Sequence, residues 1–386
     1  MNLYAFELGR IKDLCFSELA KVLEKDELVD KNFDTAIFRL DLEDPQTLQD
    51  QLGGTIKIIE IFKVLEKDST ERDLEDAIQE HLETNFENQS GKIPFSISIL
   101  SYKKHTQPNI KSLLNFSKKI LKSLNLNSRF VNKGPFSPKP STIFKARVIE
   151  KGVDINIIEG QKHIYIGKSV AIQNIDSYSA RDYDKPKRDA KVGMLPPKLA
   201  QIMINLAGKS KSIYDPFCGT GTILIEAMLM GKDAVGSDIE EKLVDYTDEN
   251  CKWAQKKFNL QNAFRAFTKD ATKLDKNDLP EKIDAIVTEG YLGPALSHEP
   301  DESLQEKYFE TLGLLHLEWL KRAEAITTQR CKIVMCLTAY KTKKGIVHLP
   351  NFEKLAKRAG YEIKKIYNYK RSDQVVTRDI VILEKL

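Results

Sequence analysis

The sequence is poor in the residues that build disulfide frameworks and metal sites. Its 386 residues include five cysteines and six histidines, and the cysteines are scattered without a Cys-x-x-Cys pair. We therefore expect no disulfide framework and no metal. No apolar run approaches the length of a membrane-spanning helix, and the first ten residues lack the apolar core of a signal peptide. These absences predict a cytoplasmic protein with no membrane partner.

Acidic residues are missing from one long segment. Between Asn88 and Ile149 there is no Asp or Glu, although the chain has 56 of them and a net charge of only +4. A solvated surface usually mixes both signs, so this segment indicates contacts with phosphate groups. Residues 110–124 inside it alternate apolar and basic positions at helical spacing. The residues that we predict to contact nucleic acid are Lys103, Lys104, Lys111, Lys118, Lys122, Arg129, Lys133, Lys145, Arg181 and Arg188.

A strand, a tight turn and a helix follow one another over residues 212–227, SIYDPFCGTGTILIEA. Gly219 and Gly221 allow a ligand to approach the backbone of the turn, and the helix offers unpaired N–H groups. A dinucleotide fingerprint requires a third glycine where Leu224 stands, and Gly-Lys-Ser of a P-loop occurs before the strand rather than after it. S-adenosylmethionine has no phosphate and tolerates Asp215 in the turn. The segment therefore predicts an S-adenosylmethionine site.

The ends of the next strands carry further carboxylates. Asp238 follows Gly221 by 17 residues and can accept hydrogen bonds from ribose hydroxyls, whereas Asp270 after the third strand can accept from the adenine amino group. Either residue can instead be a helix N-cap. The predicted cofactor-binding residues are Asp215, Phe217, Gly219, Gly221, Asp238, Ile239, Asp270, Ala271 and Pro196.

The fourth strand ends in residues 288–294, TEGYLGP, which we expect to face the methyl donor. An exocyclic amine of a base is a poor nucleophile because its lone pair is conjugated into the ring. A carboxylate and a backbone carbonyl can hold its hydrogens, and an aromatic ring can stack on the base. We predict that Thr288, Glu289, Gly290 and Tyr291 are catalytic. The alternative is an ordinary Gly-Pro turn, and Cys218 is interpreted as a small packed residue.

The length predicts two or three domains, and strands alternate with helices after Ile213. This alternation indicates an α/β fold with a doubly wound parallel sheet. Two strands without an intervening helix close the chain, so the last strand is expected to be antiparallel. Residues 143–149 are predicted to form a strand after a Pro-rich turn.

Several motifs together resemble one family. The segments DPFCGTGTILIEA, GMLPPKLA and RDYDKPKRDAKVGMLPP resemble the THUMP-containing tRNA guanine-N2 methyltransferases of archaea and eukaryotes, which act on guanosine 10. LGGTIKI and QVVTRDIVIL are similar to the N-terminal unit and the closing strand of that family. The resemblance implies a ferredoxin-like domain over 1–66, a THUMP RNA-binding domain over 67–173 and a Rossmann-like methyltransferase domain over 193–386. Between the last two, residues 174–192 are predicted to be a linker, because this segment is polar and charged and lacks periodicity. The resemblance also implies that the THUMP domain binds the acceptor end of tRNA, and that a small activator subunit is a possible partner.

The loop that carries the chemistry departs from the family pattern. The family sequence is typically Asp-Pro-Pro-Tyr, whereas Glu289-Gly290-Tyr291 stands here. We expect an S-adenosylmethionine-dependent tRNA guanine-N2 methyltransferase. The alternatives are a non-catalytic tRNA-binding protein with a changed loop, and an adenine-N6 methyltransferase acting on rRNA or DNA.

Overall fold

The computed structural model describes residues 1–102, 107–189, 194–279, 283–370 and 374–386. These residues form two compact units, Met1–Ser177 and Tyr178–Leu386. Lys103 and Lys104, both predicted to contact nucleic acid, lie outside the described residues. Within the described part of the chain, no helix is both long enough and apolar enough to cross a membrane.

The first unit contains a mixed sheet covered by helices. Its elements are β1 (Asn2–Leu8), α1 (Lys12–Val22), β2 (Glu27–Lys31), β3 (Thr35–Leu40), α2 (Pro45–Gln51), β4 (Thr55–Glu66), α3 (Glu71–Phe86), β5 (Lys92–Leu100), α4 (Ile110–Ser123), β6 (Asn127–Phe130), α5 (Pro140–Lys145), α6 (Val148–Lys151), β7 (Val153–Glu159) and β8 (His163–Ile172). The described strands are ordered β2-β3-β1-β4-β8-β7-β5-β6. The long strand β4 pairs with β1 on one side and with β8 on the other. The segments predicted as separate domains over 1–66 and 67–173 therefore share one sheet.

The helix predicted within the acid-free segment is present as α4. Leu113, Leu114 and Leu121 on one side are buried in a core shared with α3 and β5, and the side chains of Lys118 and Lys122 are exposed. The amphipathic pattern predicted from the sequence is thus confirmed, because the apolar positions recur at helical spacing.

The strand predicted over 143–149 is wrong. The chain there forms the short helices α5 and α6, separated by Arg147 in the left-handed region at φ 53°. Pro140 is the first residue of α5, where its fixed φ favours a helical turn. The β-branched residues of this segment pack as a small cluster around Ile143, Val148 and Ile172 instead of joining the sheet.

The second unit is a doubly wound sheet. Its elements after α7 (Ile175–Ser179) are α8 (Pro197–Leu206), β9 (Ser212–Asp215), α9 (Thr222–Leu229), β10 (Asp233–Asp238), α10 (Glu241–Phe258), β11 (Phe264–Thr268), β12 (Ala285–Thr288), α11 (Glu302–Ile326), β13 (Lys332–Thr342), β14 (Gly345–His348), α12 (Phe352–Arg358), β15 (Tyr361–Tyr369) and β16 (Val376–Lys385). The order of the described strands is β11-β10-β9-β12-β13-β16-β15. Strands β9 to β13 are parallel, and β16 is antiparallel to both neighbours, as predicted. The order reverses between β9 and β12, which places the ligand crevice of such a sheet there.

Within the segment predicted as a linker over 174–192, residues 175–184 are helical. Helix α7 continues into a π-helical turn over Ala180–Asp184. Arg181 within it is buried, donates from Nε to Oε1 of Glu226 at 2.6 Å and stacks on Tyr178. Its predicted contact with RNA is therefore wrong, because the guanidinium neutralises a buried carboxylate of α9. Arg188 is exposed and lies over the ring of Tyr183.

Candidate active site

A cavity of about 800 Å³ lies over the carboxyl ends of β9, β10, β11 and β12. Most of the residues predicted for the site line it, and they come from both the cofactor turn and the loop after β12. These residues are Asp215, Phe217, Gly219, Asp238, Ile239, Asp270, Ala271, Glu289, Gly290 and Tyr291. The cavity therefore brings together the two motifs that sequence analysis treated separately.

Three predicted residues do not line this cavity: Pro196, Gly221 and Thr288. Pro196 is the N-cap of α8, and its neighbours Met194 and Leu195 reach the cavity instead. Gly221 adopts φ 83°, and a Cβ there would lie 3.1 Å from Thr247. A glycine is thus required at position 221, both by the positive φ of the turn and by its close packing on α10.

Helix α10 stabilises the turn between β9 and α9 through two hydrogen bonds. The hydroxyl of Thr247 donates to the Gly219 carbonyl at 2.9 Å, and Nδ2 of Asn250 donates to the Thr220 carbonyl at 2.9 Å. Gly219 has φ 54°, a conformation that L side chains rarely adopt. The turn is consequently preorganised, with its backbone open to the cavity.

The carboxylates of Asp238 and Asp270, at or just after the ends of neighbouring strands, both line the cavity. Asp238 accepts from the Gly219 and Glu240 backbone N–H groups at 2.9 and 3.1 Å, and burial raises its pKa. Asp270 accepts from the backbone and hydroxyl of Thr272, and the hydroxyl hydrogen bond is the main cause that lowers its pKa. The N-cap interpretation of Asp270 is correct, and the same carboxylate also lines the cavity.

Asp215 is the most deeply buried carboxylate of the site, with only 2% of its surface exposed. It accepts hydrogen bonds from the Phe217 N–H and from Thr288. The pKa of Asp215 is nevertheless raised to about 7. Burial is the main cause, and the nearby charges of Asp238 and Glu289 contribute to the increase. A cationic ligand group in the cavity would favour its ionised form.

The loop over residues 288–294 is held by several hydrogen bonds. Thr288 is fully buried, and its Oγ1 accepts from the Gly290 N–H at 3.1 Å. Oε1 of Glu289 accepts from Nε of Arg378 at 2.6 Å. Tyr291 is about half exposed, at 49%, and lines the cavity. Glu289, the predicted acceptor, and Tyr291, the predicted stacking ring, thus both lie at the cavity. Thr288 does not line the cavity but stabilises the loop through its hydrogen bond to Gly290.

Sequence analysis missed Arg378, which lines the cavity from β16 and is 6% exposed. A signal existed: Arg378 and Asp379 directly precede the apolar run IVIL, residues 380–383, in the closing strand. A buried charge in an interior strand requires a partner, so such a position indicates an ion pair. Which partner it has depends on the sheet order, which the local pattern does not specify.

Cys218 lies in the cofactor turn and is buried, in contact with the Thr247 hydroxyl at 3.6 Å. Burial raises the pKa of its thiol well above the ordinary value. A buried neutral thiol is inert, which agrees with its interpretation as a packed residue. In the described part of the chain, no group of three or more His, Cys, Asp or Glu side chains forms a metal site.

Comparisons with known proteins find methyltransferase relatives of this chain. A family model described as an RMKL-like methyltransferase domain matches residues 185–348, and one described as a DNA methylase matches residues 73–249. A probable tRNA (guanine(10)-N2)-dimethyltransferase from Methanothermococcus thermolithotrophicus is 34% identical over 122 residues, which are 30% of this chain and 71% of that relative. The chain belongs to this tRNA guanine-N2 methyltransferase family.

Two further members of the family are longer than the segments they share with this chain. The tRNA (guanine(10)-N2)-dimethyltransferase of Methanothermobacter thermautotrophicus is 41% identical over 126 residues, 32% of this chain and 35% of the relative. The enzyme of the same name from Pyrococcus abyssi is 30% identical over 155 residues, 39% of this chain and 46% of the relative. The chain therefore spans less than half the length of these relatives.

Solved structures share the fold at low sequence identity. TrmN from Thermus thermophilus has a TM-score of 0.56 at 16% identity, with 100% of both chains covered. SMU.472, a putative methyltransferase complexed with SAH, has a TM-score of 0.52 at 13% identity, covering 100% of this chain and 98% of the other. These likenesses confirm the predicted Rossmann-like methyltransferase fold.

The left-handed backbone at Gly290 leads to a first prediction. Gly290 has φ 69°, which proline cannot adopt, and its N–H is bonded to Thr288. We expect Gly290→Ala to lower the free energy of unfolding by about 1 kcal/mol, and Gly290→Pro by about 3 kcal/mol, measured by chemical denaturation. Gly231→Ala, at φ 74° in open space, is the control for the left-handed cost alone. A Gly290→Pro variant as stable as the wild type would contradict this loop geometry.

Proposed function

We propose that the protein is an S-adenosylmethionine-dependent tRNA methyltransferase that forms N2-methylguanosine, at position 10 of tRNA. The observation that supports this most directly is the single cavity lined both by the Gly219 turn and by the Glu289 loop. Family membership supports the substrate, since the named relatives are tRNA (guanine(10)-N2)-dimethyltransferases.

The charges of the cavity suit S-adenosylmethionine better than a phosphorylated cofactor. Asp215, Asp238 and Asp270 line it, and Lys269, the basic residue beside them, is paired with Asp278 at 2.7 Å. Carboxylates accept from hydroxyl and amino groups and attract cations, whereas they repel phosphates. We assign Asp238 to the ribose hydroxyls, Asp270 to the adenine amino group and Asp215 to the cationic part of the cofactor. S-adenosylmethionine supplies the electrophilic methyl group.

The loop after β12 would prepare the acceptor amine. The Glu289 carboxylate and the Gly290 carbonyl accept its two hydrogens, which directs the nitrogen lone pair out of conjugation with the base. The exposed ring of Tyr291 stacks on the base after it leaves the helix. Proximity supplies much of the acceleration, and the proton released after transfer passes to Glu289 or to water.

The first unit would bind the tRNA. Every described basic residue predicted for this role in the acid-free segment is exposed: Lys111, Lys118, Lys122, Arg129, Lys133 and Lys145. We propose that residues 67–173 act as a THUMP domain that binds the acceptor end, and that the protein works in the cytoplasm. Arg188 can add a phosphate contact from the second unit. An activator subunit remains a prediction.

A methyl-transfer assay tests the proposal. Labelled S-adenosylmethionine is incubated with unmodified total tRNA, and the nucleosides are identified by mass spectrometry. N2-methylguanosine mapped to position 10 would support the proposal. Because a DNA methylase model matches residues 73–249, duplex DNA and rRNA are included. N6-methyladenine in either would favour the adenine-N6 alternative, and binding without any product would favour the non-catalytic one.

Glu289 provides a second prediction. Glu289→Gln keeps the shape of the side chain and removes its charge, so we expect methyl transfer to fall about 100-fold, which corresponds to the 1.5–3 kcal/mol of one charged hydrogen bond. The dissociation constants for S-adenosylmethionine and tRNA should stay close to wild type. The control is Glu299→Gln, a nearby glutamate whose carboxylate accepts from the Lys343 N–H outside the cavity. Equal turnover of wild type and Glu289→Gln would refute this role.

Asp215 provides a third prediction, on pH. Its pKa of about 7 means that it is partly protonated at neutral pH, and a bound cation lowers that pKa, so binding releases a proton. The affinity for S-adenosylmethionine should rise from pH 6 to pH 8 and then level off. The charged groups facing Asp215 are Asp238 and Glu289, with the Cys218 thiol beside them. Titration calorimetry in buffers of different ionisation enthalpy measures the released proton, and Asp215→Asn should abolish it. A pH-independent affinity would contradict the assignment.

The exposed lysines of α4 provide a fourth prediction. Lys118→Glu with Lys122→Glu should weaken tRNA binding at least 10-fold and lower the slope of log affinity against log salt by about two. Lys21→Glu, on α1 outside the acid-free segment, is the control. Binding isotherms at several salt concentrations give both quantities. An unchanged salt slope would show that α4 does not contact phosphate.

A further inference from the structure

The loop over residues 289–294 carries the Glu289 carboxylate and the Gly290 carbonyl. It has no regular secondary structure, and its only proline is its last residue, Pro294. Gly290 and Gly293 both lie in the left-handed region, at φ 69° and 87°. Glycine pays the largest backbone entropy on ordering. Such a loop needs external contacts to keep one conformation.

Two of these contacts come from residues that face each other across the sheet. Thr338 of β13 and Arg378 of β16 are direct partners in the antiparallel register. The Thr338 hydroxyl donates to the Leu292 carbonyl at 3.0 Å, and Nε of Arg378 donates to the Glu289 carboxylate at 2.6 Å. Directly opposite residues share one face of a sheet, so the pair holds the loop at two points three residues apart.

The strands that carry this pair are themselves fixed. Strand β13 lies between β12 and β16, and β16 lies between β13 and β15. Thr338 is fully buried and Arg378 is 6% exposed. Neither side chain therefore has freedom to follow a moving loop.

The Arg378 contact also has an electrostatic consequence. The side chains of Glu289 and Arg378 are 14% and 8% exposed, so each charge is largely removed from water. A carboxylate in such a place protonates more readily unless a cation compensates it. Arginine stays protonated and gives a charge-assisted hydrogen bond, which keeps the carboxylate an acceptor.

We infer that Thr338 and Arg378 are positioning residues, which hold the Glu289 carboxylate and the adjoining Gly290 carbonyl at the cavity. This inference rests on the proposed function for its catalytic meaning. The ordering of the loop by the pair does not depend on which base is methylated.

Hydrogen exchange measures the ordering directly. In Thr338→Val and in Arg378→Met, amides of residues 289–293 should exchange at least 10-fold faster than in the wild type. Thr342→Val is the matched control, since its hydroxyl donates to the Gly345 carbonyl in the β13–β14 turn of the same strand. Thr338→Val keeps the side-chain volume, so it tests the contact even if Arg378→Met folds poorly. Unchanged exchange in Thr338→Val would overturn the inference.

Kinetics separate positioning from general stability. Both variants should lower kcat at least 10-fold and leave the KM for S-adenosylmethionine within about threefold, whereas Thr342→Val should match the wild type. In Arg378→Met the acidic limb of the kcat profile should move to higher pH, and Arg378→Lys should restore it in part. Among the described residues, Asp215 and Cys336 are further ionisable groups near Glu289. A proportional loss of kcat and cofactor binding, without a pH shift, would indicate a merely structural pair.

If the wild type transfers no methyl group, the proposed function fails, and hydrogen exchange still decides the inference.

Discussion

The reversal of strand order between β9 and β12 is the constraint on which the site depends. At this point the connections that follow the two neighbouring parallel strands run in opposite directions, and a crevice forms between them. The turn after β9 and the loop after β12 enter this crevice from sequence positions about seventy residues apart. The turn after β9 and the loop after β12 thereby share one cavity, which neither segment could form alone.

The cavity also concentrates negative charge. The charges of Asp238 and Glu289 lie close enough to Asp215 to raise the energy of ionising its carboxylate. The chain compensates them by different means: backbone N–H groups for Asp238, a hydroxyl and an N–H for Asp215, and a guanidinium for Glu289. Among the described residues, Glu289 alone of the three has a full countercharge, and the proposed mechanism requires it to stay ionised so that it accepts from a neutral amine. No cation of the described residues pairs with Asp215, so this carboxylate is the best able of the three to respond to a cationic ligand.

Local sequence patterns correctly predicted those elements whose buried positions recur at a regular spacing along the chain. The amphipathic α4 and the alternation of strands and helices after Ile213 are confirmed, because burial there follows a regular period. The segment 143–149 was mistaken for a strand, since a short apolar run does not distinguish a strand from a packed helix. Arg181 and Arg378 were misassigned or missed for a different reason. Each is neutralised by a residue 45 or 89 positions away, and no local pattern reveals such a partner.

The buried pair of Arg181 and Glu226 affects how the chain can be divided into fragments. Glu226 is 1% exposed on α9, and its charge is balanced by an arginine that precedes the sheet by some thirty residues. A fragment that begins at residue 193, where the family resemblance places the domain boundary, would leave this carboxylate without its cation, and breaking such a pair typically costs about 3–5 kcal/mol. A fragment that begins before Tyr178 retains the pair. The energetic boundary of the methyltransferase fold therefore lies upstream of its first strand, within the segment predicted to be a linker over 174–192.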